Sequence, residues 1–217
     1  METILTNAHV VTAEAAFDGT VVVADNQLTD IERGASQAAG AEDLEGDYLI
    51  PGLIDLHTDA LEKQMMPRPH VTWNTTAAIL AHDALTTTAG ITTVFEALAV
   101  GANLAHPERN ETLKPMIEGL HKTQETGMLR GQHFVHLRCE ITDPMVMELF
   151  HQFIDHPMIR FVSVNDHTPG CRQYPDIDYY RKKHMKNYGY DNEEMDKFID
   201  NISEQSQKYG AQRRAEL

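Results

Sequence analysis

Short runs of β-branched residues dominate the first fifty positions of the chain. Two such runs, TILTNAHVVT and GTVVVADNQLTDI, are broken by the pairs Asp18 and Gly19, and Asp25 and Asn26. Aspartate, asparagine and glycine between β-branched runs are typical of tight turns between strands. The pattern predicts a small antiparallel β subdomain over residues 1–50.

From residue 51 onwards, apolar strand-like runs alternate with helical segments. Strands are predicted at GLIDLH, ITTVFEALAV, HFVHLRC and RFVSVND, and helices at NTTAAILAHDALTTTAG, NETLKPMIEGLHKTQETG and DPMVMELFHQFID. This alternation predicts an α/β fold with βαβ units and a parallel sheet. Residues 51–217 should therefore form about four βα units, and the charged segment 175–217 should add one or two solvated helices.

Polar side chains occupy alternate positions near the C-terminal ends of three predicted strands. His57 and Asp59 end the first strand, Arg138 and Glu140 end the third, and His167 follows the fourth. Alternate strand positions face the same side of a sheet. Barrel and open α/β enzymes place their chemistry at the carboxyl ends of such strands. We therefore expect these side chains to face one site.

The candidate ligands of this site combine imidazole and carboxylate groups, which suit zinc, manganese or iron. They are His57, Asp59, Glu140 and His167. Glu140 is placed to bridge two ions, and paired ions about 3.5–4 Å apart suit in-line displacement at phosphorus. Each residue alone is more often a surface or hydrogen-bonded residue, so the prediction of two divalent ions depends on their shared position.

Composition and charge narrow the class of protein. The net charge is −15, which argues against nucleic acid as a partner because phosphate backbones attract basic surfaces. No apolar run approaches the ~20 residues of a membrane helix, and no secretory leader is visible. Two cysteines favour a reduced compartment, so we expect a cytoplasmic protein that does not bind membranes. Histidines within helices, His82 among them, are expected on solvated faces.

Four stretches of the sequence resemble the amidohydrolase superfamily. They are LIPGLIDLHTDALEKQMMPRPHVTW, HDALTTTAGITTVFEALAVG, HLRCE and NDHTPGCRQY. The first is similar to the P-G-L-I-D-x-H-x-[HD] motif that opens the (β/α)8, or TIM, barrel of that superfamily. The PRP segment and HLRCE resemble more specifically its phosphonate-utilisation branch. The resemblance implies the N-terminal part of a (β/α)8 metal-dependent hydrolase barrel preceded by the small β unit.

This resemblance also implies an activity and roles for residues. Enzymes of the branch hydrolyse the 5-triphosphate of a ribosyl alkylphosphonate and release diphosphate. His57 and Asp59 would be ligands from the first strand, Glu140 would bridge, and His167 would bind the second ion. Most of the superfamily has histidine in place of Asp59 and often a carbamylated lysine in place of Glu140. The alternative is another amidohydrolase-type C–N hydrolase, acting on a cyclic amide or as a deaminase.

A phosphorylated sugar phosphonate as substrate requires cationic side chains. The candidates are Lys63, Arg68, Arg138 and Arg172. Arginine suits bidentate phosphate contacts. Arg138 has a second interpretation as an ion-pair partner of Glu140 or Asp55, and the other three could be solvated charges.

Enzymes of this branch are considerably longer than 217 residues. The resemblance implies four further βα units, with another metal-binding histidine and the aspartate that orients the attacking water beyond Leu217. Half a barrel leaves sheet edges unpaired. We therefore expect a fragment that is inactive alone, or a chain that closes its barrel as a homo-oligomer.

Overall fold

A computed structural model describes residues 1–68, 71–101 and 108–217 of the chain. They form two compact units, Met1–Gly52 and Leu53–Leu217. Among the helices of these residues, none has the length and apolar character needed to cross a lipid bilayer.

The first unit is a β sheet of five strands with the order β3-β2-β1-β4, and β5 also pairs with β1. The strands are β1 (Glu2–Val11), β2 (Ala16–Ala24), β3 (Gln27–Arg33), β4 (Glu42–Asp43) and β5 (Tyr48–Leu49). The predicted antiparallel pairing holds for β1 to β3. It is wrong for β4 and β5, which pair with β1 in parallel because the chain returns along the sheet before each short strand.

The predicted turn at Asp25 and Asn26 joins β2 to β3. Both residues have positive φ, at 50° and 62°. A two-residue hairpin loop with positive φ at both positions matches the right-handed twist of the strands it joins, and asparagine and aspartate tolerate this conformation. The local sequence therefore sets the register of this hairpin.

The second unit contains a parallel sheet with the strand order β6-β7-β8-β9. Its elements are β6 (Leu53–Thr58), α1 (Ala60–Met65), α2 (Thr75–Thr88), β7 (Ile91–Val100), α3 (Glu108–Glu125), β8 (Gln132–Glu140), α4 (Val146–Phe153), β9 (Ile159–Asn165), α5 (Ile177–Tyr188) and α6 (Asn192–Glu216). The predicted alternation of strands and helices is confirmed. Consecutive strands are neighbours in the sheet, as βαβ units require.

The two faces of the sheet differ in polarity. Leu98 pairs in register with Leu137, and both are fully buried in a core that also contains Ile79 and Leu113 of α2 and α3. On the opposite face, Arg138 is the neighbour of Ala99 and Ser163, and Glu140 is the neighbour of Asn165. At the C-terminal ends of β7 and β8, alternation therefore directs Leu98 and Leu137 to the helices and Arg138 and Glu140 to the other face.

The C-terminal helices have a core of their own. Tyr180, Met195, Phe198 and Ile202 are buried together between α5 and α6. The expectation of purely solvated helices is wrong here because aromatic and aliphatic residues at helical spacing pack against each other. Arg213 of α6 is buried and donates a hydrogen bond of 2.7 Å to the carbonyl oxygen of Ile141.

The expectation of solvated helical histidines is also wrong at two positions. His82 of α2 is 2% exposed and His184 of α5 is 7% exposed. His82 faces the sheet beneath its helix, where it meets Glu96 of β7. The packing of α2 on β7 buries His82 against the Glu96 carboxylate. Helical periodicity alone does not predict this packing.

Replacing Leu137 by alanine should lower the free energy of unfolding of this unit by about 2–5 kcal/mol, because the cavity left in a packed core closes only in part. Leu85→Ala is the matched control, since Leu85 is 59% exposed on α2 and its loss should cost less than about 0.5 kcal/mol. Urea unfolding followed by circular dichroism measures both. Equal losses would contradict the core described above.

Candidate active site at the strand ends

A cavity of about 80 Å³ lies at the C-terminal ends of β7, β8 and β9. It is lined by Ala99, Gly101, Arg109, Arg138, Glu140, Asn165 and His167. The lining residues come from strand ends, from the segment after β9 and from the first turn of α3. The cavity therefore occupies the position at which parallel α/β enzymes carry their chemistry.

Glu140 and His167 form a contacting pair in this cavity. Oε2 of the Glu140 carboxylate meets Nδ1 of His167. Oε1 accepts hydrogen bonds from the hydroxyl and the backbone N–H of Thr142, at 2.7 and 3.2 Å. Glu140 is 5% exposed, so these donors hold a nearly buried carboxylate with one oxygen directed at the imidazole.

His57 and Asp59 form a second pair at the end of β6. Nε2 of His57 lies 3.4 Å from Oδ1 of Asp59. The same oxygen accepts a hydrogen bond of 2.9 Å from the guanidinium of Arg138, which also lines the cavity. Arg138 therefore lies between the two pairs. The sequence suggests Glu140 or Asp55 as the carboxylate partner of Arg138. The structure shows Asp59 instead, because Arg138 at the end of β8 reaches across the intervening strand β7 to the end of β6.

The four candidate ligands thus occur as two pairs. In the described ranges, no three of them bring donor atoms within 4.8 Å of one another. Their donor chemistry nevertheless fits divalent metal ions, because each pair supplies one imidazole nitrogen and one carboxylate oxygen. Each of the two carboxylates already faces a nitrogen donor group, an imidazole for Glu140 and a guanidinium for Asp59.

His136 adds a third imidazole on the polar face of the sheet. Its ring centroid lies 5.1 Å from that of His57, and its Nε2 lies 2.7 Å from the hydroxyl oxygen of Ser163. Burial, followed by the nearby His57 and Arg138, lowers the pKa of His136 to about 4. The ring is therefore neutral at neutral pH and packs edge-on against His57 without adding charge.

Gly101 lines the cavity and packs against Asp143 before α4. Gly101 has φ of 76°, and a Cβ there would approach Cβ of Asp143 to 2.8 Å. Only glycine adopts this conformation and this approach without displacing its neighbour. Burial raises the pKa of Asp143 to about 6, although a hydrogen bond of 2.7 Å from the backbone N–H of Met145 opposes the change.

Arg109 is a cation of the cavity that sequence reasoning missed. Its side chain is 43% exposed, and its Nε lies 3.9 Å from Oε2 of Glu62, which is nearly buried. The other oxygen of Glu62 accepts a hydrogen bond of 2.8 Å from the backbone N–H of Ala99. One feature of the sequence could have identified Arg109 as a cavity residue. It lies at the start of the helix that follows the second barrel strand, and a side chain in that position reaches the strand ends.

The other three candidate cations lie outside the lining of this cavity. Lys63 is exposed on α1, and Arg68 is exposed after that helix. Nε of Arg172 lies 3.2 Å from Oδ2 of Asp166, and its side chain is 60% exposed. Of the four predicted cations, Arg138 is the one that lines the cavity among the described residues.

Comparison with known proteins reveals one sequence relative. No known protein-family model matches the chain. The chain is 35% identical over 195 residues to the alpha-D-ribose 1-methylphosphonate 5-triphosphate diphosphatase of Escherichia coli (strain K12). The match covers 90% of this chain and 52% of that protein, so the chain spans about half the length of the curated relative it matches.

Comparison with solved structures gives partial matches to the fold of this chain. N-acetyl-D-glucosamine-6-phosphate deacetylase from Mycobacterium smegmatis matches with a TM-score of 0.51 and 22% identity, over 75% of this chain and 43% of that one. L-hydantoinase from Arthrobacter aurescens has a TM-score of 0.49 and 12% identity, over 96% and 51% of the two chains. The predicted fold class is confirmed. The chain shares its fold with part of that deacetylase, and its sequence is similar to that of a ribosyl phosphonate triphosphate diphosphatase.

Proposed function

We propose that the protein containing this chain is a metal-dependent diphosphatase of phosphonate catabolism. It hydrolyses the 5-triphosphate of a ribosyl alkylphosphonate and releases diphosphate. The observation that carries the proposal is the strand-end cavity. There Glu140 and His167 line one space together with Arg138 and Arg109, and Arg138 also donates a hydrogen bond to Asp59. The 35% identity to a diphosphatase over most of the chain supports the same reaction.

The candidate metal ligands are His57, Asp59, Glu140 and His167, two imidazoles and two carboxylates. Divalent ions bound by them would supply positive charge and lower the pKa of coordinated water, which favours hydrolysis at phosphorus. The chain's own contribution is to hold the ligands in place. Thr142 fixes the Glu140 carboxylate through two hydrogen bonds, and His136 packs against the ring of His57.

The cationic side chains account for the preference for a polyphosphate. Arg138 and Arg109 both line the cavity, where a guanidinium can donate two hydrogen bonds to one phosphoryl group. The cavity of about 80 Å³ is smaller than the roughly 300–1,000 Å³ of pockets that enclose whole drug-sized ligands. We infer that the reacting phosphoryl group enters it, and that Lys63, Arg68 and Arg172 contact the rest of the substrate outside.

The function is tested with the protein at the full length that its gene encodes. Glu140→Gln should reduce diphosphate release from alpha-D-ribose 1-methylphosphonate 5-triphosphate by more than about 100-fold. Loss of a ligand should exceed the 10–100-fold cost of losing an outer hydrogen-bond partner. Glu148→Gln, on the exposed side of α4, is the matched control and should keep full activity.

Product analysis by mass spectrometry separates the candidate reactions. Release of diphosphate with a 5-monophosphate product supports the proposal. Turnover of a cyclic amide without turnover of the triphosphate would instead indicate a C–N hydrolase. Activity that is unchanged by Glu140→Gln and by metal chelation would contradict the assignment of this site.

Arg109→Ala should raise the KM for the triphosphate substrate by about 10–100-fold, because a hydrogen bond to a charged group contributes about 1.5–3 kcal/mol. Lys114→Ala removes an exposed positive charge from the same helix and should leave KM unchanged. Steady-state kinetics at constant ionic strength provides the comparison. An equal change in the two variants would mean that Arg109 acts only through the general electrostatic field of the protein.

A further inference from the structure

A second cluster of metal-competent side chains lies on the opposite face of the parallel sheet. It consists of Glu96 on β7, His133 on β8, and the adjacent residues His82 and Asp83 on α2. Glu96, His133 and Asp83 are 0% exposed, and His82 is 2% exposed. Glu96 shares its strand parity with Leu98, which faces the helices. The cluster is therefore separate from the strand-end cavity, which lies on the polar face.

Three side chains of the cluster bring one ligand atom each to a common point. Oε1 of Glu96 lies 2.7 Å from Nδ1 of His133 and 2.9 Å from Nε2 of His82. The three ligand atoms all lie within 4.8 Å of one another. Two imidazole nitrogens and a carboxylate are a common donor set for Zn²⁺ and related ions.

Asp83 orients His133 from the other side of its ring. Oδ1 of Asp83 lies 3.3 Å from Nε2 of His133. The same carboxylate accepts hydrogen bonds from the backbone N–H groups of Arg130 and Gly131, at 3.1 and 2.9 Å. A carboxylate on one ring nitrogen keeps the proton there and directs the lone pair of the other nitrogen outward, as in the carboxylate–histidine–zinc arrangement.

Hydrogen bonding alone leaves this cluster incompletely satisfied. Oε2 of Glu96 and Nε2 of His82 are buried without a hydrogen-bond partner of good geometry in the described residues. Buried polar atoms without a partner are rare in folded proteins. A cation between Glu96, His82 and His133 would satisfy both atoms.

The charges of the cluster lead to the same conclusion. Asp83 and Glu96 are two buried carboxylates, and the guanidinium of Arg130 lies 3.8 Å from Asp83 with a side chain that is 73% exposed. Burying a carboxylate without compensation is costly, so positive charge beside Glu96 would stabilise the cluster. Protonated imidazoles or a divalent cation would supply it, and protonated imidazoles would still leave Oε2 of Glu96 without a donor.

We propose that Glu96, His82 and His133 bind a structural divalent transition-metal ion of the Zn²⁺ class, with Asp83 orienting His133. The ion ties α2 to the middle strands β7 and β8 on the helix side of the sheet. It is structural because the site has no exposed face through which a substrate could reach it. It is independent of the reaction proposed for the strand-end cavity.

The stoichiometry of bound zinc tests the site. The double variant His57→Asn/Glu140→Gln lacks two of the candidate strand-end ligands. After chelation, reloading with Zn²⁺ and dialysis, this variant should retain about one equivalent of zinc, because the buried site has three protein ligands. Adding Glu96→Gln, an isosteric loss of one ligand, should remove that equivalent. Elemental analysis that finds no zinc in the double variant, or the same zinc in the triple variant, would overturn the proposal.

Nitrogen NMR of the unaltered chain decides the question without depending on how the variants fold. Zn²⁺ added to the chelated protein should move the signals of Nδ1 of His133 and Nε2 of His82 to metal-bound positions. Imidazolium signals from both rings in the presence of zinc would overturn the proposal and leave a cluster charged by protons.

Discussion

The alternation of side chains between the two faces of a parallel sheet determines what every part of the larger unit can do. On β7 and β8, one parity carries Leu98 and Leu137 into the core beneath the helices, and the other carries Arg138 and Glu140 to the opposite face. Because the core requires the first set to be buried, the second set has no freedom to turn away from the strand-end cavity. A shift of one residue in register would exchange the two sets and place a carboxylate and a guanidinium in the core.

Buried charge is the second constraint, and it is met differently on the two faces. At the strand ends, Glu140 faces His167 inside the cavity, and Asp59 faces Arg138, which also lines it. On the helix side, Glu96 and Asp83 are buried against His82, His133 and backbone donors, and the exposed Arg130 reaches Asp83 from outside at 3.8 Å. The open arrangement suits chemistry that exchanges ligands, and the closed arrangement suits a permanent link between α2 and the sheet.

Similarity to known proteins and the geometry of the cavity contribute different parts of the functional proposal. The solved structures support the fold, and the diphosphatase supports the substrate class. The cavity places Arg109 and Arg138 beside Glu140 and His167, the side chains with which the proposal has such a substrate bound. Arg138 also donates a hydrogen bond to Asp59, so the same guanidinium lines the cavity and contacts the pair at the end of β6.

Local sequence determined the elements of this protein and the side of the sheet on which its chemistry lies. Period-two patterns placed β6 to β9, Asp25 and Asn26 predicted a hairpin turn, and the polar parity of HLRCE pointed to the strand ends. These features depend on the backbone within a few residues, which is why they can be read from the chain alone.

Tertiary structure decided which distant groups meet. Asp59 rather than Glu140 or Asp55 is the partner of Arg138, and Arg109 reaches the cavity from a helix start. His82, expected in solvent, is buried against Glu96, and α5 packs on α6 through an aromatic core. Each of these contacts joins residues far apart in sequence, and its existence depends on how helices pack on the sheet, which periodicity within a single element does not specify.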